Sequence, residues 1–231
     1  MRLLVVIPAY NEAGALPAVI AGVRAHCSAD VVVIDDGSSD DTFEVARRSG
    51  AIVLRHPCNL GIGAAVQSGF VHALEHAYDA VVRIDGDGQH DPSYIPLLLE
   101  PLRAGRADIV IGSRFLARRG YQSTVVRRAG ILILSLISAL VGARVTDPTS
   151  GYWALNRRAL ELLAASHPDD YPETEAMVVA TRGGCRIHEV PVEMLARTAG
   201  RSSIGAIHSG FYMLKVIVAV LIQRARRRPP S

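Results

Sequence analysis

Short apolar runs separated by amphipathic stretches organise the first half of the chain. Residues 3–7 form an uninterrupted apolar run, as a strand covered on both faces should. Residues 15–26 fit a helix, and residues 31–34 are again continuously apolar. The alternation continues with a helix through Arg48 capped by Ser39 or Asp40, a strand at 51–54 and a helix from 63 to 76. A strand at 80–84, a helix at 94–103 after Pro92 and a strand at 108–111 complete the series. Strands alternating with helices of this length mark βαβ units, so the chain reads as an α/β fold with a mainly parallel central sheet flanked by helices.

The second half is less regular. Residues 122–142 read as a helical hairpin or one long helix, 147–151 as a turn, and 152–155 as a short strand. Helices are predicted at 157–165 and 173–182, a strand at 187–190 before Pro191, and a long helix at 204–226. No clean linker separates the halves. The expected organisation is one domain over 1–203 followed by an amphipathic helix and basic tail over 204–231.

Composition changes this picture little. The 231 residues are 49% hydrophobic and 20% charged, which fits a globular protein and excludes a low-complexity chain. Cys27, Cys58 and Cys185 are too widely spaced for a disulfide framework or a CxxC metal site, which favours a reducing, cytoplasmic setting. The first residues lack a signal-peptide plan. The longest uncharged apolar stretch, 129–143, is too short to cross a bilayer, so no transmembrane helix is expected.

Charge is more informative in its placement than in its sum of +3. Arg118, Arg119, Arg127 and Arg128 flank the central apolar segment, and Arg224, Arg226, Arg227 and Arg228 crowd the C-terminus. Basic clusters beside apolar helices point to phosphate or anionic lipid, and so to peripheral association with the cytoplasmic face of a membrane. Nucleic acid is not expected, because exposed aromatics are not interleaved with the basic residues. Ile204, Ile207, Phe211, Leu214, Val218, Leu221 and Ile222 recur at helical spacing. That face suits a lipid interface, a small integral membrane partner, the domain itself, or a second copy in a homo-oligomer.

In a mainly parallel sheet, ligands collect beyond the C-terminal ends of the strands. Residues 8–12, 35–38, 85–90 and 112–114 each follow a predicted strand, so they converge on one edge. Asp85 and Asp87 bracket Gly86 there, and two carboxylates around a glycine can face one hard cation, with Gln89 or His90 as a further ligand. A divalent ion so held neutralises a diphosphate and helps it leave. Taken alone, such a turn is more often a solvated helix cap. Its position against an apolar strand, on the same edge as Asp35 and Asp36, favours a site. Asp35 or Asp36 can accept from a base N–H or a ribose hydroxyl, or can simply close a turn. Tyr10 and Glu12 follow Pro8 into the same pocket, and Arg114 is a phosphate ligand or a surface arginine. No GxGxxG follows the first strand and no GxxxxGK[ST] occurs, which argues against a nicotinamide enzyme and a P-loop NTPase.

Six segments carry a resemblance: IPAYNE at 7–12, DDGSSDDT at 35–42, HPCNLGIGAAVQSGF at 56–70, DGDGQHDP at 85–92, GSR at 112–114 and DPTSGYWALNR at 147–157. In this order they resemble the family 2 glycosyltransferases of the GT-A fold, most closely the branch of dolichyl-phosphate mannose synthases and bacterial polyprenyl-phosphate glycosyltransferases. The resemblance implies a nucleotide-diphospho-sugar transferase fold and inverting transfer from a UDP- or GDP-linked sugar, with Mg²⁺ or Mn²⁺ as cofactor. It implies that Pro8, Tyr10, Glu12 and Asp35 or Asp36 hold the nucleoside, and that Asp85, Asp87 and Gln89 bind metal and diphosphate. Thr149, Ser150, Gly151 and Tyr152 would shape the sugar and acceptor side.

The acceptor implied is a polyprenyl phosphate, as in cell-envelope glycan synthesis; a hydroxyl of a glycan, glycolipid or small metabolite is the alternative. Members of the family carry an acidic residue near 173–176, for which Glu175 ranks above Glu173. A hydroxyl acceptor requires one of them as general base. A lipid phosphate is already an anion and requires arginines to gather two repelling phosphates. Arg197, Arg201 and Ser202 resemble that acceptor side, which makes Arg201 a catalytic candidate beside Asp87, Glu173 and Glu175.

Overall fold

A computed structural model describes residues 1–116, 145–166 and 172–195. The elements run β1 (Leu3–Ala9), α1 (Leu16–His26), β2 (Asp30–Asp35), α2 (Thr42–Arg48), β3 (Ile52–Arg55), α3 (Ile62–Glu75) and β4 (Ala80–Arg83). A 3₁₀ turn at Pro92–Tyr94 leads into α4 (Ile95–Arg103), followed by β5 (Ile109–Ser113) and β6 (Trp153–Asn156). The described elements end with α5 (Arg157–Ser166), α6 (Pro172–Arg182) and β7 (Ile187–Pro191). The predicted order is present, with small shifts at the ends. Neither Ser39 nor Asp40 caps α2: the N-cap is Asp41, while the Asp40 carboxylate accepts the Thr42 N–H at 3.0 Å.

The seven strands of the described residues join one sheet in the order β3-β2-β1-β4-β6-β5-β7. β1 lies parallel to β2 and β4, β2 to β3, and β5 to β7. β6 runs antiparallel between β4 and β5, with Trp153 opposite both Arg83 and Ile111. A late segment is thereby inserted into the middle of a sheet built from the first half.

Every residue of β1 is buried, and its side chains alternate between two cores, as the two-residue period of a strand demands. Leu4 and Val6 join a core with α3, α5 and α6, while Leu3, Val5 and Ile7 join one with α1 and α4. The continuous apolar run thus reflects helices on both faces. Asp108 ties β5, β6 and β7 by accepting from Arg186 and Asn156, and those bonds hold its carboxyl down to about 2.

Helix α3 approaches β1 closely at Gly69, where an added Cβ would lie 2.3 Å from a Val6 methyl. Gly69→Ala is therefore expected to destabilise the fold by about 1–3 kcal/mol through overpacking. Urea unfolding checks this, and an unchanged midpoint would mean that α3 slides away freely.

The boundary at 203/204, the helices expected at 122–142 and 204–226, and the arginine clusters beside them lie outside the described residues. Among the described residues no helix is long and apolar enough to cross a membrane.

Candidate active site

The C-terminal ends of β1, β2, β4 and β5 open on one edge, joined there by the start of antiparallel β6. Ala9 ends β1 beside Asp35, and Asn11 turns the chain with a φ of 56°, a left-handed conformation that asparagine tolerates. The Asn11 side-chain oxygen accepts from the Ser39 and Asp40 N–H groups, while its own N–H donates to Ser38 Oγ. Glu12 N–H donates to Thr42 Oγ1 at 2.9 Å. The turns after β1 and β2 are locked into one floor, with Tyr10 exposed above it.

Asp35 and Asp36 are both buried but carry different loads. Asp35 Oδ1 accepts the Ser38 N–H at 3.0 Å, and Arg55 Nε lies 3.1 Å from Oδ2. Asp36 gathers the loop before α3, accepting from His56 Nδ1 at 2.7 Å, Leu60 N–H at 3.0 Å and Gly61 N–H at 2.8 Å. Both carboxylates are thus engaged by protein groups, Asp36 by three hydrogen bonds and Asp35 by one hydrogen bond and the Arg55 ion pair. Gly37 fits beneath that loop at a φ of +70°, where a Cβ would lie 2.5 Å from the Cys58 carbonyl carbon.

β4 ends at Arg83, and Asp85-Gly86-Asp87 forms the turn beyond it. Gly86 packs against the Pro8 carbonyl, which sets the acidic turn on the end of β1. Asp87 Oδ1 accepts the Gln89 N–H at 2.9 Å. Gln89 in turn accepts the Leu195 N–H on its carbonyl at 2.9 Å, and His90 bridges to Met194. His90 is no open ligand: it is buried, stacks on Tyr152 with ring centroids 4.9 Å apart, and accepts the Asp85 N–H on Nδ1. Burial lowers its pKa despite Asp85 and Asp87 nearby, which agrees with a neutral ring. Burial opposes ionisation of Asp85, yet the guanidinium groups of Arg83 and Arg114 draw its carboxyl below the ordinary value.

The donor set fits a hard divalent cation shared with a diphosphate. Two carboxylates flank one turn, and the Asp85 side chain is 34% exposed. Among the described residues no three acidic, histidine or cysteine side chains are placed to enclose a metal, so phosphate and water oxygens would complete the coordination.

Arg83 is the residue that sequence reasoning missed. Its side chain is only 2% exposed, with Nη2 at 2.7 Å from Glu173 Oε1 and 3.4 Å from Asp85 Oδ1. Burial alone would lower the pKa of Arg83, but Glu173 and Asp85 overcome it and raise it. One cation joins the acidic turn to the first turn of α6. Glu173 is the carboxylate that Arg83 joins to Asp85. Glu175 is buried. The available signal was a charged residue inside the apolar strand VVRI.

The acceptor-side expectations divide. Gly151 lies against the site: a Cβ there would sit 3.0 Å from Arg83 Nη2 and 3.1 Å from Asp85 Oδ2. Ser150 and Tyr152 do not line it. Ser150 is buried and donates to the Gly112 carbonyl at 2.6 Å; Tyr152 is buried and donates its hydroxyl to the Asp91 carbonyl at 2.9 Å. Arg114 is committed rather than open to a phosphate, clamping Asp147 with Nε at 2.7 Å and Nη2 at 2.6 Å and reaching Thr149. Glu189 accepts the Thr146 and Asp147 N–H groups, pinning this return of the chain. Arg197, Arg201 and Ser202 lie outside the described residues.

A mixed, mostly parallel sheet between helices, with post-strand acidic turns gathered at its C-terminal edge, defines a glycosyltransferase of the GT-A class. The model of glycosyl transferase family 2 matches residues 4–163, and the chain belongs to that family. An undecaprenyl-phosphate mannosyltransferase from Micrococcus luteus is 34% identical over 218 residues, covering 88% of each chain. A polyprenol monophosphomannose synthase from Mycolicibacterium smegmatis is 32% identical over 230 residues, covering 93% of this chain and 85% of that one. Among solved structures, glucosyl-3-phosphoglycerate synthase from Mycobacterium tuberculosis with Mn²⁺, uridine-diphosphate-glucose and phosphoglyceric acid is 25% identical, with a TM-score of 0.74, over 100% of this chain and 81% of that one. Two of these names carry a lipid phosphate and the third a phosphoglycerate.

Proposed function

We propose that the chain transfers a sugar, with inversion, from a UDP- or GDP-linked donor to a hydroxyl of a small metabolite, glycan or glycolipid, aided by Mn²⁺ or Mg²⁺. The carrying observation is Glu173: Arg83 anchors its Oε1, and its Oε2 makes no hydrogen bond among the described residues. That is the arrangement of a general base oriented by a third group. Asp85 and Asp87 would hold the cation, whose Lewis acidity stabilises the departing diphosphate. The floor formed by residues 8–12 and 35–38 seats the nucleoside, with Asp35, Tyr10 and Glu12 as its contacts. Glu173 takes the hydroxyl proton on Oε2 while the acceptor oxygen bonds to the anomeric carbon and the bond from that carbon to the diphosphate oxygen breaks. The solved relative holding phosphoglyceric acid with Mn²⁺ and uridine-diphosphate-glucose supports this reading over the lipid acceptor that the sequence resemblance placed first.

A second reading, transfer to a polyprenyl phosphate at a membrane surface, draws on the two lipid-phosphate transferases of 32% and 34% identity. Such an acceptor needs no base. Labelled UDP- and GDP-sugars, saturating Mn²⁺, and phosphoglyceric acid, simple sugars or polyprenyl phosphate as acceptors separate the two. The first reading expects a hydroxyl-linked product and a roughly 10²–10⁴-fold fall in kcat for Glu173→Gln. A lipid-linked product alone, made nearly as fast by Glu173→Gln, would move the conclusion to the second.

A further inference from the structure

The guanidinium of Arg83 is an expensive object to leave where it is. It is almost wholly buried, yet among the described residues Nε and Nη1 have no hydrogen-bond partner and only Nη2 is satisfied. Its aromatic neighbour, Trp153, lies with its ring centroid 5.9 Å from the guanidinium carbon and offers no acceptor. A merely structural arginine would use its other donors. Here a single nitrogen is placed between Glu173 and Asp85.

From this juxtaposition we infer that Arg83 is a positioning residue that keeps Glu173 from becoming a third metal ligand, so that the cation enters only together with the nucleoside diphosphate. Two carboxylates bind Mg²⁺ or Mn²⁺ weakly without substrate oxygens, whereas a third carboxylate would build a cage that retains the ion. Glu173 is bound to the same nitrogen as Asp85. Opposite charge on Arg83 holds it away from the cation side and leaves Oε2 for the acceptor. The same ion pair thus makes metal binding depend on the donor and preserves the base. A cation that stayed after the diphosphate left would hold the product's site closed to the next donor complex.

The inference rests on Asp85 and Asp87 as the metal site, and donor-free binding tests it without catalysis. Mn²⁺ is titrated by electron paramagnetic resonance into the full chain, alone and with UDP or GDP. The unsubstituted chain is expected to bind Mn²⁺ at least tenfold more tightly with the nucleotide than without it. Arg83→Met is expected to tighten nucleotide-free Mn²⁺ binding at least tenfold, and Arg83→Met with Glu173→Gln to lose most of that gain, keeping only what the release of Asp85 contributes. A double variant that binds as tightly as Arg83→Met would overturn the inference. Unchanged or weaker binding by folded Arg83→Met would overturn the inference, because lost packing alone can only loosen a site. Glu173→Gln supplies a second measure if Arg83→Met does not fold. With Asp85 as its sole anionic partner, Arg83 should weaken nucleotide-dependent Mn²⁺ binding several-fold, and no change there would also overturn it. Absence of nucleotide-dependent Mn²⁺ binding in the unsubstituted chain would instead remove the metal reading itself.

Discussion

Asp87→Ala is expected to lower kcat/KM for sugar transfer by about 10³-fold or more while the fold stays intact. On the proposed reading Asp87 is one of two protein carboxylates for the cation, and among the described residues no third acidic, histidine or cysteine side chain is placed to replace it. Loss of one ligand leaves Asp85, whose charge is already drawn toward Arg83, to hold the ion alone. The fold should tolerate the change. Asp87 is buried and accepts the Gln89 N–H, so its removal costs about 1–3 kcal/mol, several degrees in melting temperature. Steady-state kinetics at several Mn²⁺ concentrations, beside thermal melting, check both halves. Activity within tenfold of the original, at every Mn²⁺ concentration, would show that the cation is not held by this turn.

Gly151→Ala should lower kcat by about 10²-fold, the cost of moving a reacting group by a fraction of its working distance. The new methyl would lie 3.0–3.2 Å from Arg83 Nη2 and both carboxylate oxygens of Asp85, nearer than ordinary packing allows. Neither neighbour can yield freely. Arg83 is held by Glu173, and Asp85 N–H is tied to His90. The Asp85 side chain is the part left to move, and on the proposed reading it would turn away from the cation. Melting temperature should fall by only a few degrees, because the displaced group sits at the open edge of the sheet rather than in either core. Full activity in Gly151→Ala would mean that Asp85 acts in an orientation other than the one observed.

Much of this site was legible before any coordinates. A residue that follows a buried parallel strand must lie on the sheet edge where ligands collect, so Pro8, Asp35, Asp85 and Arg114 could be grouped from their place after apolar runs. What each side chain does there was less legible. Asp36 spends its carboxylate on the His56–Gly61 loop, and Arg114 spends its guanidinium on Asp147, partners 20 and 33 residues away. No local pattern announces such a pairing. Ser150 and Tyr152 belong to a segment that resembles an acceptor site, yet β6 carries them into the core beside Gly112 and Asp91. The pairing of Glu173 with Arg83, 90 residues away, had the same origin.

The sequence by itself determined the βαβ order, the two-sided burial of β1 and the acidic turn after β4, because each follows from a pattern a few residues long: continuous apolar strands, helical spacing, and carboxylates around a glycine. Only the tertiary structure decided that β6 enters antiparallel between β4 and β5, and that one buried arginine joins Asp85 to Glu173. The physical reason is range. Burial periodicity is written along the chain, whereas strand order and ion pairing arise from contacts between segments tens of residues apart, where many alternatives share the same local pattern and only packing selects among them.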